Sequence, residues 1–151
     1  MNTAKKNTNI ILLNFQNTMK NIVLEISNDK SIFFSKKISL YINMLRNESN
    51  IFLENKKLTN IIKQQILNKI NMLYLINNNQ INKSKKALGI SEEEKFVNTS
   101  TAILLARNNH AAYYLDSSIT KSDQKLLLNI QLILVKTGEI IFRRTREISI
   151  L

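Results

Sequence analysis

The sequence predicts an all-α protein, a single-domain bundle of about five helices occupying residues 1–151. Three observations carry this expectation. The chain has no proline and only two glycines, too few for the turns of a β-sandwich or barrel or for the phosphate loops of nucleotide-binding α/β folds. Apolar residues recur at steps of three and four along most of its length. The breaks between these stretches are short and polar, as between antiparallel neighbours in a bundle. At 151 residues and 44% hydrophobic content, one domain with a sizeable core is expected.

The first helix is expected over residues 9–26, where Ile11, Phe15, Met19, Ile22 and Ile26 form one face. Ser27, Asn28 and Asp29 end it by competing for backbone hydrogen bonds. A second helix over residues 31–46 carries Phe34, Ile38, Tyr41 and Leu45. After a break at 47–50 and a helical turn at 51–53, a long helix over residues 58–88 follows Leu58, Ile62, Ile66, Ile70 and Leu73. Gly89 stands where a left-handed C-terminal cap belongs. Ser91 and Glu94 have capping-box spacing and open a helix expected to reach residue 115.

The tail has two readings. As a helix, Leu127, Leu134, Ile141 and Ile148 fall seven apart, and Glu139 pairs with Arg143 at i,i+4. As strands, residues 132–135 and 140–143 flank a Lys136-Thr137-Gly138-Glu139 turn in a C-terminal β-hairpin. The helix is favoured, although Gly138 costs it about 1 kcal/mol.

Composition narrows the chemistry. With no cysteine and one histidine, disulfides, Cys-ligated metals and thiol nucleophiles are excluded, and no metal site or cofactor is expected. The acidic cluster Glu92–Glu94 is explained by helix capping, and no Gly-x-Ser-x-Gly elbow presents a serine. No catalytic residues are assigned, and the chain is read as a non-enzyme. Residues 126–135, the most apolar stretch, are interrupted by Asn129 and Gln131 and fall short of the roughly 20 residues of a membrane span. Lys5 and Lys6 precede an apolar run too short for a signal peptide. A cytoplasmic or organelle-interior location without a signal peptide is therefore expected.

The formal charge of +11 attracts anionic partners. Asn, Ile and Lys are over-used together, so part of that charge reflects A/T-rich codons. Two basic triplets are the candidate anion or nucleic-acid contacts: Arg143, Arg144 and Arg146, whose guanidinium forks suit phosphate, and Lys83, Lys85 and Lys86. Glu139 and Glu147 flank the first. Tyr113, Ile141, Ile148 and Leu151 are the candidate protein-interface residues, because a Tyr113-Tyr114 pair points to two sides and the apolar stripe runs to the C-terminus.

Arg107 and His110 share one side of the expected fourth helix. The pair resembles the Arg-x(4–6)-His motif of HEPN-type ribonucleases, basic helical bundles, although two residues intervene here. The resemblance implies metal-free RNA cleavage with Arg107 and His110 meeting their counterparts across a dimer interface. The ordinary reading is a half-buried polar pair.

Three functions compete. The favoured one is a non-catalytic helical adaptor, chaperone or assembly subunit that binds a protein partner or a larger assembly through helix faces. The second is a basic nucleic-acid- or ribosome-binding helical protein with salt-dependent phosphate contacts. The third is the HEPN-like ribonuclease.

Overall fold

In the computed structural model of this chain a six-stranded sheet lies between two pairs of helices, which overturns the all-α bundle. The structure describes residues 3–32, 37–94 and 97–149, with side chains from residue 9 onward. Helix α1 (Thr3–Asn28) follows the expected stripe, and Ile11, Phe15, Met19, Ile22 and Ile26 are all buried.

The second helix is where the prediction first fails. The described part of residues 31–46 carries strand β1 (Ile38–Ile42) and the start of β2 (Arg46–Glu48); Phe34 lies outside the described residues. β1 runs parallel to strands on both sides and is buried on both faces. Such a strand reads as a continuous apolar run, which spacing alone cannot tell from helix.

The long helix is also divided. Helix α2 (Asn55–Lys69) buries Leu58, Ile62 and Ile66, then Ile70 turns to extended backbone. Strand β3 (Leu73–Leu75) follows, and helix α3 (Asn78–Ala87) begins at a capping box formed by Asn77 and Gln80. Gly89 has φ +72°, the expected left-handed cap, and its N–H donates to Lys86 O. The expected capping box at Ser91 is only a turn, in which Ser91 accepts from the Glu93 and Glu94 N–H groups. Helix α4 (Thr99–Asn108) starts instead at Asn98, whose side chain accepts from Thr101 N–H.

From residue 113 the chain is antiparallel sheet. Strands β4 (Tyr113–Ser122), β5 (Lys125–Leu134) and β6 (Glu139–Ile148) form a meander. The lesser reading of the tail is the one found: Gly138, at φ +76°, turns a hairpin longer than expected, and the favoured helix is overturned. The sheet order is β3-β1-β4-β5-β6, with β2 pairing β4 beyond the end of β1. Helices α1 and α2 bury Leu40, Leu115, Ile119, Leu128, Ile130 and Phe142 beneath them. On the other face, α3 and α4 contribute Ile81, Ala102, Leu105 and Ala106 to a smaller cluster with Tyr41, Tyr114, Ile133 and Val135.

Candidate functional site: an open, polar sheet face

The two helix pairs cover the sheet unequally. On the α3–α4 side, packing ends near Tyr114 and Ile133. Strand alternation then carries the same face outward through residues that no helix covers. The register aligns them in rows across the sheet. Asp116, Gln131 and Arg143 form one row, and Arg46, Ser118, Asn129 and Thr145 the next. They line a depression of about 330 Å3.

The polar groups of this face hold one another. The Arg46 guanidinium bridges both carboxylate oxygens of Asp116, with Nη2 3.2 Å from Oδ2. Asp116 is 6% exposed and also accepts from the Tyr114 hydroxyl at 3.0 Å. The hydrogen bond to Asp116, and after it the carboxylate's charge, move the Arg46 pKa above the ordinary arginine value despite burial. Asn129 Nδ2 donates to Ser118 Oγ at 3.3 Å and Thr120 Oγ1 at 3.1 Å, while its Oδ1 accepts from Thr145 Oγ1 at 3.0 Å. With its amide turned to satisfy both groups, Gln131 accepts from the Arg143 guanidinium at 2.9 and 3.3 Å. Such a lattice fixes rotamers before a partner arrives, which lowers the entropy lost on binding.

The structure separates the basic triplets. Arg143 lies on the open face, whereas Arg144 and Arg146 turn to the opposite face and meet Glu25 of α1, Arg146 Nη2 at 2.6 Å. Lys83 and Lys86 are exposed on α3, but Lys85 is buried and donates to Glu94 O at 2.6 Å. In neither triplet do the three side chains lie together on one exposed surface. Tyr113 and Ile148 are buried, Ile141 packs against the α1–α2 core, and Leu151 lies outside the described residues. Arg107 Nε donates to Val135 O at 3.1 Å, and His110 ends α4 in the left-handed region with its carbonyl accepting from Ser39 Oγ. Both serve as fold contacts, and the α/β architecture removes the HEPN resemblance.

Arg46, Asp116, Ser118, Asn129 and Thr145 were not singled out from the sequence. A signal for them exists. Leu126, Leu128, Ile130 and Leu132 alternate with Leu127, Asn129 and Gln131, the period of a strand with one apolar face. The two residues read as interruptions of an apolar stretch are its polar face.

Among the described residues no group of three or more His, Cys, Asp or Glu is placed to hold a metal, and no helix is long and apolar enough to cross a membrane. The fold is a mixed α/β domain whose six-stranded sheet is only half covered on one face. The chain belongs to the family of the peptidoglycan-synthase activator LpoB, whose family model matches residues 14–148. It is 42% identical to protein BU358 of Buchnera aphidicola over 139 residues, 92% of this chain and 82% of that protein. It is 36% identical to the penicillin-binding protein activator LpoB of Pantoea ananatis over 103 residues, 68% of this chain and 52% of that protein. The chain thus spans about half the length of that LpoB relative. The LpoB C-terminal domain from Escherichia coli has the same fold, with a TM-score of 0.79 and 27% identity over 89% of this chain and 98% of that one.

Family membership corrects the functional expectations. The helical adaptor or chaperone and the nucleic-acid- or ribosome-binding protein both give way to an activator family, and the ribonuclease falls with them. A protein partner is supported, as is a non-catalytic role. The cytoplasmic or organelle-interior location without a signal peptide does not stand. The family's members are named as activators of peptidoglycan synthases, and peptidoglycan is built outside the cytoplasmic membrane.

Proposed function

We propose that this chain activates a peptidoglycan synthase of the penicillin-binding class in the periplasm, by seating its open sheet face on that enzyme. The observation that carries the reading is the half-covered sheet. Rows of polar side chains on β2, β4, β5 and β6 lie under no helix, from buried Asp116 and Ser118 to exposed Arg143 and Thr145, and are already tied by cross-strand hydrogen bonds. A solvated sheet face needs no such lattice, whereas a docking surface gains geometry from it. The name of the Pantoea relative, a penicillin-binding protein activator, and the shared fold of the E. coli domain support the choice of partner.

The test is a rate of glycan polymerisation by a purified peptidoglycan synthase from the same organism, with binding followed in parallel. The wild-type chain is expected to bind and to raise the rate. Thr145→Arg, which places a long cation at the β6 end of the lattice beside Asn129, is expected to abolish both. Gln16→Arg, on the outer side of α1, is expected to leave both intact. Stimulation that survives Thr145→Arg would remove the face from the mechanism.

A further inference from the structure

A second site lies at the carboxyl end of β1, where α2 and α3 approach from opposite sides of the sheet. A cleft of about 260 Å3 opens there. One wall is a single side of α2, presenting Lys56, Asn60 and Lys63 at i, i+4 and i+7. The other is a side of α3, presenting Asn82 and Lys85 at i, i+3. Glu92 is the acid of the lining, against three lysines.

Lysine and asparagine are abundant throughout this chain, so their presence alone says little. Their state here says more. Lys85 is 6% exposed, and its one hydrogen bond goes to a carbonyl rather than a carboxylate. Lys56, Lys63, Asn60 and Asn82 make no side-chain hydrogen bond or ion pair among the described residues. Burial pulls the Lys63 and Lys85 ammonium groups below the ordinary lysine range, with Glu94 and Glu92 partly restoring Lys85. Three cations gathered in a concave, partly desolvated place against the one lining carboxylate leave an excess of positive charge poised for an anion. No arginine lines the cleft, so the planar two-point recognition of a carboxylate is missing, and ammonium point charges with amide donors suit a tetrahedral oxyanion.

We infer that this cleft is a binding site for a small phosphate-bearing ligand, either free phosphate or a phosphorylated sugar, with Lys63 and Lys85 as its principal contacts. The site is separate from the open sheet face, and its test does not involve the synthase. Backbone amide shifts of the whole chain are followed by NMR during titration with inorganic phosphate at constant ionic strength, then with a hexose phosphate, with succinate and chloride as controls.

Saturable shifts confined to Asn60, Lys63, Asn82 and Lys85 and their neighbours are expected. Lys63→Gln is expected to weaken phosphate binding by about tenfold, the loss of one charged contact. Lys20→Gln, on α1 outside the cleft, is expected to leave it unchanged. Tighter binding of the hexose phosphate would identify a phosphorylated sugar as the ligand, and equal binding free phosphate. Shifts that follow ionic strength, that spread over lysines elsewhere, or that succinate reproduces would overturn the site, and the wild-type map decides this even if Lys63→Gln does not fold.

Discussion

Arg46 and Asp116 stand 70 residues apart in sequence and close on each other at the edge of the open face. The pair does two jobs at once. It fastens β2, a strand of three residues, to β4, and it compensates a carboxylate set among Tyr114 and the sheet. Removing Arg46 alone leaves Asp116 buried without its cation, which is worse than removing both partners. Arg46→Ala is expected to lower unfolding free energy by about 2–3 kcal/mol at neutral pH, and Arg46→Ala with Asp116→Asn by clearly less. Urea unfolding of the single and double variants checks this. Equal losses would mean that the pair acts only through packing.

Behind Asp116 the rings of Tyr114 and Tyr41 stack with centroids 5.7 Å apart. Burial pushes the Tyr41 hydroxyl up to about 12. Tyr114 is raised further, by burial first and then by the charge of Asp116. Both hydroxyls ionise near pH 10 once the chain unfolds. The folded state therefore binds more protons above pH 10, and stability falls as pH rises. This contribution is complete below pH 10 and is lost as pH climbs through 10 toward 12 for Tyr41. Denaturant midpoints measured across that window are expected to fall for the wild type and to fall less for Tyr41→Phe. A Tyr41→Phe profile parallel to the wild type would assign the alkaline loss to other groups.

Much of the helical layer was legible. The α1 stripe and the α2 residues Leu58, Ile62 and Ile66 are core residues, and the conformation of Gly89 follows from its place after α3. The sheet was hidden for physical reasons. β1 and the first part of β4 are buried on both faces, so their sequences show no alternation for a period of two to reveal. The seven-residue spacing of Leu127, Leu134, Ile141 and Ile148 is a by-product of the hairpin. Leu127 faces the open side, the other three pack toward α1 and α2, and Ile141 is the extra residue of a bulge opposite Leu132 and Ile133. Gly138 was the informative residue, because a helix tolerates it at a loss whereas the turn uses its positive φ. The open face escaped notice because Arg46, Asp116, Asn129 and Arg143 come together only through strand register.

The division of the arginine triplet gives opposite expectations for neighbours in sequence. Arg143 rests on Gln131 at the surface, so Arg143→Ala is expected to change stability by less than about 0.5 kcal/mol while weakening binding to the synthase. Arg144 lies over the Phe142 ring at 4.4 Å and reaches Glu25 of α1 at 3.5 Å. Arg144→Ala is expected to cost about 1 kcal/mol and to leave binding unchanged. Thermal unfolding and a binding isotherm on both variants decide. The reverse pattern would place the docking surface on the α1 side of the sheet.

Ser117 provides the last expectation, and one of opposite sign. It sits on β4 between Leu115 and Ile119, 2% exposed, facing the core beneath α1 and α2. Its hydroxyl has no hydrogen-bond partner among the described residues. A hydroxyl taken from water without compensation costs about 1–3 kcal/mol, so removing it should return part of that. Ser117→Ala is expected to raise stability by about 1 kcal/mol, because the oxygen leaves only a small space behind. Ser117→Val fills that space and favours the strand, so it is expected to stabilise at least as much unless the added methyl strikes α1 or α2. Chemical denaturation of the two variants separates the contributions. A gain for Ala and a loss for Val would locate a tight packing limit at this position. A loss for both would mean that the hydroxyl is hydrogen-bonded in solution, and that this stretch of β4 owes part of its stability to a buried polar contact.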